Sequence, residues 1–347
     1  MNPQKVVMSQ NLEEALTAAV ATCEKDRIFI LTDETTQQLC LPLVEGFACL
    51  KGAQHITIGA TDTHKTLDSL SHVWKALGEG GATRHSLLIN IGGGMVTDLG
   101  GFAASTFKRG INYINIPTTL LSMVDASVGG KTGINFRGLK NEIGVFNNAE
   151  TVILDTQFLK TLDTENILSG YAEMLKHGLI DSEAHWAELI NSDLSNLGSL
   201  SKLLEKSVAV KQRIVTEDPT EQGIRKALNL GHTAGHAFES FALSKQPILH
   251  GYAVAYGLVC ELYLSAIKTG FPTDKMHQTV NFIHEHYGRM NITCDDYPQL
   301  LELMTHDKKN VAGVINFTLL GGIGDIRINQ HATKDEIYEA LDFYREC

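Results

Sequence analysis

The sequence predicts an α/β domain built on a parallel sheet, followed by a mainly α-helical domain. Three observations carry this expectation. Short apolar runs alternate with helical periodicity through the first half of the chain. A glycine triplet, Gly92-Gly93-Gly94, directly follows one of those runs. Beyond about residue 155, long segments of 3.6-residue periodicity take over.

The first half begins with helical periodicity over residues 11–23, followed by a short apolar strand over 27–32. Residues 55–58 form a second strand and residues 65–77 fit a helix. Residues 86–91, Ser-Leu-Leu-Ile-Asn-Ile, make a third strand running into the glycines, and 113–116 and 152–154 complete the pattern. Continuous apolar strands separated by helices imply a parallel sheet covered on both faces. Helices are expected over 167–180, 199–215, 227–241, 253–268 and 273–287, with a small strand pair over 313–320 and 325–328. The boundary falls near 155–165, giving domains of 1–158 and 159–347 with the active site expected in the cleft between them.

The 347 residues suffice for two domains at roughly 100–200 residues each. With 43% hydrophobic and 20% charged residues the composition is that of a chain with a sizeable core, which argues against disorder. Asp plus Glu total 40 against 29 Lys plus Arg, so the net charge is −11. Such a surface disfavours nucleic acid and anionic membranes as partners. Any cationic site must therefore be local. The six scattered cysteines contain no C-x-x-C pair, which fits reduced thiols. The polar start of the chain lacks a signal-peptide core, and no uncharged run approaches about 18 residues. A soluble, cytoplasmic protein is expected.

The glycine turn ends a buried strand and opens a helix. Glycines let backbone approach a pyrophosphate, and a helix N-terminus presents free N–H groups to an anion. The pattern is not G-x-G-x-x-G, so a plain tight turn competes with a Rossmann-like nucleotide site. Asp33, just past a strand end, could accept from cofactor hydroxyls or cap a helix.

In the second half, Glu173 and Lys176 share a helix face, an arrangement that is most often a solvated ion pair. His232 and His236, four apart, share another face, and His250 opens the next helix. The run lacks the glutamate of His-Glu-x-x-His, so a zincin peptidase would lack its base. One glutamate and two histidines satisfy the three-ligand rule for a catalytic metal with an open position. Spacing leaves open which two of the three histidines serve.

These residues carry a resemblance. Gly92-Gly-Gly-Met-Val-Thr-Asp98, Pro117-Thr-Thr-Leu-Leu-Ser, Val124-Asp-Ala-Ser-Val-Gly-Gly-Lys131-Thr, Leu139-Lys-Asn141, Tyr171-Ala-Glu173-Met-Leu-Lys176, Arg225 through Asn229-Leu-Gly-His232 to His236, Leu249-His-Gly and Asp307-Lys-Lys309 occur in order. Over nearly its whole length the chain resembles the 3-dehydroquinate synthase family of sugar phosphate cyclases.

The resemblance implies NAD and one divalent metal ion, zinc or cobalt, as cofactors. It implies Glu173, His232 and His250 as metal ligands, with His236 a hydrogen-bonding or proton-relay residue. Lys131, Asn141, Lys176, Lys211, Arg225 and Asn229 correspond to substrate-binding residues, joined by Lys308 or Lys309. Arg109 corresponds to an arginine that reaches the neighbouring subunit's site, implying a homodimer. Asp125 and Glu221 match acidic positions of the site, Asp125 on the cofactor side. Asp33, Asp62, Lys65, Gly93, Gly94, Met95, Asp98, Thr118, Thr119 and Lys140 correspond to the NAD side. Asp62, Thr35 and Tyr252 depart from the family's usual Glu, Asn and Glu.

The implied reaction is a carbon–oxygen lyase step on a phosphorylated sugar acid, 3-deoxy-D-arabino-heptulosonate 7-phosphate. Transient oxidation by NAD acidifies the neighbouring C–H, phosphate leaves, hydride returns, and an intramolecular aldol closure gives 3-dehydroquinate. A substrate with a carboxylate and a phosphate needs several cations, which these motifs supply. Rival readings are a sister cyclase acting on sedoheptulose 7-phosphate or glucose 6-phosphate, an NAD-dependent oxidoreductase of the glycerol dehydrogenase type, and a non-catalytic binding protein. Lys211, Arg225 and Asn229 favour a carboxylate-bearing substrate over the sister cyclases. The cation cluster argues against polyol oxidation.

Overall fold

A computed structural model describes residues 4–23, 25–194, 196–243, 245–305 and 314–347. The chain divides into two compact units, Met1–Asp163 and Thr164–Cys347.

The first unit is built on strands β1 (Lys5–Met8), β2 (Ile28–Asp33), β3 (Gln54–Ile58), β4 (Leu87–Gly92), β5 (Asn112–Pro117), β6 (Lys131–Phe136), β7 (Leu139–Phe146) and β8 (Thr151–Leu154). Its helices are α1 (Leu12–Thr22), α2 (Glu34–Leu39), α3 (Leu67–Glu79) and α4 (Gly94–Thr106). Six strands form one sheet in the order β1-β8-β5-β4-β2-β3, and every pairing is parallel. Each residue of β4 is buried, as a central parallel strand requires.

This order places a topological switch between β2 and β4. From β2 the chain moves outward to β3; from β4 it moves the other way to β5. Ligands of open α/β sheets bind at the carboxyl ends of strands at such a point. The end of β2 carries Asp33, and the end of β4 runs into Gly93 and α4.

The strand pattern is close to the expected one, with two differences. Residues 5–8, polar-flanked and short, form an edge strand on β8. Residues 131–146 form an antiparallel hairpin, β6–β7, that alternation had not revealed. Every residue of β7 is exposed, so it has no buried face, and the apolar positions Leu139, Ile143 and Val145 on one side are interrupted by Asn141. Lys65 lies outside α3, which starts at Leu67 with Thr66 as its N-cap accepting from Ser69 N at 3.3 Å.

The second unit contains α5 (Thr164–Asp181), α6 (Glu183–Ile190), α7 (Leu197–Glu217), α8 (His232–Leu243), α9 (His250–Thr269), α10 (Thr273–Tyr287), α11 (Tyr297–Thr305) and α12 (Lys334–Glu346). An antiparallel pair, β9 (Asn316–Gly322) and β10 (Asp325–His331), completes it. α9 is the central rod, packed by α5, α8, α10, α12 and β9. The continuous helix expected over 227–241 is broken. A 3₁₀ turn over Ile224–Asn229 ends before Gly231, whose φ of 78° only glycine adopts easily, and α8 starts afresh at His232. All six cysteines are free. Among the described residues no helix is long and apolar enough to cross a membrane.

Candidate active site and metal centre

In the first unit, α4 begins at the glycine turn with Gly93 as N-cap and no side-chain cap. Its first-turn N–H groups are therefore left for an outside acceptor. Gly93, Gly94 and Met95 are half-buried there, and Thr118 N, just past β5, donates to Gly92 O at 2.9 Å. Thr119 Oγ1 pairs with Ser122 Oγ at 2.9 Å, and Asp125 stands half-buried on the π-helical turn Ser122–Ala126. Asp33 Oδ1 accepts Thr36 N at 2.8 Å in a capping box, the second of its two expected roles. Thr35 is exposed in that first turn.

A connected polar network ties β6–β7 to this region. Lys65, 4% exposed, places Nζ 2.5 Å from Asp98 Oδ2 and 2.5 Å from Asn141 Oδ1. Asn141 N donates to Asn135 Oδ1 at 2.9 Å. Asn135 Nδ2 in turn donates to Asp62 Oδ2 at 3.1 Å, and Lys140 Nζ lies 3.5 Å from that same oxygen. The shorter side chain at position 62 thus still holds two partners. Lys131 stands exposed at the start of β6. Arg109 is exposed on a turn where Lys108 and Arg109 hold φ of 49° and 70°. Among the described residues, Arg109, Asn141 and Glu221 are three of seven non-glycine residues with positive φ. Such strain, of order 1–3 kcal/mol each, gathers where surrounding structure over-determines a functional side chain.

In the second unit, α5 buries Glu173 and Lys176 to 0% and 1% exposure, so they are not the solvated pair that such spacing alone most often makes. Tyr287 OH to Leu168 O and Tyr171 OH to Leu189 O, both 2.8 Å, pin α5 in place. Lys176 Nζ donates to Glu173 Oε2. The other oxygen, Oε1, is buried with no hydrogen bond of good geometry, and lies 3.3 Å from His232 Nε2 and 3.4 Å from His250 Nε2. Burial alone would raise the Glu173 carboxyl; Lys176 and the two imidazoles outweigh it and hold it well below the usual range.

The ligand atoms of Glu173, His232 and His250 lie within 4.8 Å of one another. The His236 ring joins the group, 5.4 Å from that of His232 and 6.0 Å from that of His250. An ionised carboxylate oxygen faced by two imidazole Nε2 atoms is a donor set for a divalent ion, so these residues fit a divalent metal. His232 Nδ1 lies 3.0 Å from Leu230 O, which places its proton on Nδ1 and frees Nε2 as a ligand. For His250, burial opposes charge, but Glu239 and Glu173 prevail and push it up to about 10.

The remaining predicted residues surround this centre in sequence. Lys211 is buried on α7, and Arg225 is 2% exposed with Nη1 donating to Pro219 O at 2.6 Å. Asp218 accepts Gly223 N at 2.7 Å and Arg225 N at 3.1 Å, fixing the loop. Asn229 Nδ2 donates to Glu221 Oε1 at 2.9 Å. Lys308 and Lys309 lie outside the described residues.

Two carboxylates escaped the sequence reading. Glu261, fully buried on α9, accepts Gly231 N at 2.6 Å, Thr233 N at 2.9 Å and Ala234 N at 3.1 Å, capping α8 from another helix. Glu239 Oε2 on α8 lies 3.4 Å from His250 Nδ1. A charged residue inside the apolar run Val259-Cys260-Glu261-Leu262 was the available signal; Glu239 has none beyond its place in α8.

On fold and site together the chain falls among the NAD- and metal-dependent α/β enzymes. Residues 55–169 match the family profile "3-dehydroquinate synthase N-terminal" and residues 170–310 match "3-dehydroquinate synthase C-terminal". A 3-dehydroquinate synthase of Parabacteroides distasonis is 56% identical, covering 100% of this chain and 99% of that one. One from Pyrococcus furiosus is 40% identical over 88% of this chain and 89% of that one. A solved 2-epi-5-epi-valiolone synthase of Streptomyces hygroscopicus subsp. jinggangensis, with NAD+ and Zn2+ bound, superposes with a TM-score of 0.88 at 25% identity, covering 99% of this chain and 97% of that one. The chain belongs to the 3-dehydroquinate synthase family.

Proposed function

We propose that this chain converts 3-deoxy-D-arabino-heptulosonate 7-phosphate to 3-dehydroquinate and inorganic phosphate, with NAD and one divalent metal ion as cofactors. The observation that carries this reading is the buried Glu173 Oε1 facing two imidazole nitrogens beside Lys176, in a chain whose curated relatives bear that activity's name. The metal is zinc or cobalt, held by Glu173, His232 and His250. When bound, the metal would supply a Lewis acid for a secondary hydroxyl of the substrate, and NAD would supply reversible hydride acceptance at that carbon.

The chain's own residues bind, orient and move protons. Lys131, Lys176, Lys211 and Arg225 supply positive charge to the substrate's carboxylate and phosphate, the guanidinium through paired N–H donors. Asn141 and Asn229 orient hydroxyls, the latter held by Glu221. His236, half-buried against the other two rings, holds or relays a proton. Lys309 or Lys308 joins the anion contacts. NAD is held within residues 1–158 by the glycine turn, Met95, Asp33, Asp62, Lys65, Asp98, Thr118, Thr119, Asp125 and Lys140; metal and substrate are held chiefly within 159–347. The enzyme is a cytoplasmic homodimer in which Arg109 serves the neighbouring site.

Phosphate release from the heptulosonate, with NAD, before and after chelation, tests the reading. Release that requires NAD, stops with chelator and returns with zinc or cobalt is expected. A folded, metal-loaded chain that releases none overturns it and turns attention to sister substrates. Mixing Arg109→Ala chains with Glu173→Gln chains should restore activity that neither has alone; no recovery removes the Arg109 role.

A further inference from the structure

Beyond the ligand set and the substrate cations, one buried acid has no part in the chemistry. Glu239, on the second turn of α8, is 7% exposed. A carboxylate this buried loses several kcal/mol of hydration unless a donor or cation compensates it. Its Oε2 lies 3.4 Å from Nδ1 of His250, while Nε2 of that same ring lies 3.4 Å from Glu173 Oε1. The imidazole therefore stands between two carboxylates, one at each nitrogen. His250 sits at the first residue of α9, and its N-cap, Leu249, gives no side-chain hydrogen bond. The ring's side chain is 30% exposed, so packing alone does not fix its orientation. Position 252 offers no carboxylate here: the Tyr252 ring packs edge-on against Tyr256 and Tyr287, with centroids 6.5 and 5.1 Å away.

We propose that Glu239 is a positioning residue of the metal centre: by accepting the Nδ1 proton of His250 it sets that ring's tautomer and rotation, so that Nε2 points at the ion. The inference rests on the metal site proposed above and adds to it. A hydrogen bond from the distal ring nitrogen to a carboxylate fixes which nitrogen binds and raises the basicity of the other. The two histidines are thereby treated differently. His232 is oriented by a neutral backbone carbonyl, Leu230 O; His250 is oriented by a charged side chain from the helix that carries His232 and His236. One helix thus brings one ligand and directs another, and its only covalent tie to His250 is the connection between α8 and α9. Because Glu239 is not itself a ligand, its charge at Nδ1 can be removed without touching any ligand.

The test uses the full-length chain, loaded with Co2+ and titrated with a competing chelator. Glu239→Ala should weaken Co2+ binding by about 10–100-fold, the usual loss when such a partner is removed. Its visible Co2+ spectrum should shift. Glu239→Gln keeps an acceptor but not the charge, and should fall between Ala and the unaltered chain. The intermediate position of Gln is the readout that a merely structural role would not give. If Ala fails to fold, Gln decides: a several-fold loss supports the proposal, and unaltered affinity with an unaltered spectrum overturns it. Glu173→Gln is the control for the site itself. If Glu173→Gln loses Co2+ while both Glu239 variants bind as the unaltered chain does, the positioning role alone fails. If Glu173→Gln also binds undiminished, the metal site fails with it.

Discussion

Lys65 Nζ lies 2.5 Å from Asp98 Oδ2, an ion pair that joins the segment before α3 to α4. The lysine is 4% exposed and the aspartate side chain 19%. Replacing one member leaves the other charge poorly solvated, at a cost of about 3–5 kcal/mol when both are fully buried. Partial exposure of Asp98 reduces this, so Lys65→Met should destabilise the first unit by roughly 2–3 kcal/mol. It should also weaken NAD binding, because Asp98 and Asn141 lose their common partner. Thermal unfolding with and without NAD measures both effects. An unchanged melting temperature would mean that the pair adds nothing net.

Glu261 holds the N-terminus of α8 through three backbone N–H groups. Glu261→Gln turns one acceptor into a donor that faces N–H groups. The loss of a buried charge-assisted hydrogen bond is about 1.5–3 kcal/mol. Chemical denaturation should show a loss in that range, and His232, the first residue of α8, should bind metal more weakly. Full metal affinity in a destabilised variant would confine Glu261 to holding the fold.

Gly251 follows His250 where α9 crosses α5. A Cβ there would meet Ser169 O at 1.8 Å, a backbone atom that cannot swing aside. Gly251→Ala must push α9 away from α5, moving His250 relative to Glu173. The cost should sit at or above the upper end of the about 1–3 kcal/mol usual for overpacking. Denaturant unfolding and metal content read it together. A variant as stable and as metal-rich as the parent would show that the helices part easily.

Asp218 accepts backbone N–H groups of Gln222, Gly223 and Arg225. Desolvation raises its carboxyl, but these bonds outweigh it, and its pKa lies below the ordinary 3.8. A depressed carboxyl contributes stability that is present above the unfolded value and is lost as pH falls through the folded one. The gap in melting temperature between the parent and Asp218→Asn should therefore be constant near neutrality and close only below about pH 3.8. A gap that closes between pH 7 and 5 would assign it to another group.

Much of this protein is legible in its residues alone. The central parallel strands are buried on both faces, so their apolar runs are unbroken and stand out against any polar background, and the glycine turn announces where one of them ends. The motifs around Gly93, Glu173, His232 and Arg225 are local in the chain and carry the family with them. The exposed strand β7 and the half-exposed edge strand β1 were silent, because a strand without a buried face has no strong pattern to display, and β6 buries only its short run Thr132 to Ile134. Spacing could place His232 and His236 on one helix but could not choose between them as partners of Glu173. That choice belongs to the packing of α5, α8 and α9, which brings together residues 173, 232 and 250. The same packing makes Glu239 and Glu261 matter: each acts on a helix other than its own, and contacts between helices leave no period in the chain. What tertiary structure decided was how deep each charge lies and which atom it faces, since both follow from distances across the fold rather than along the sequence.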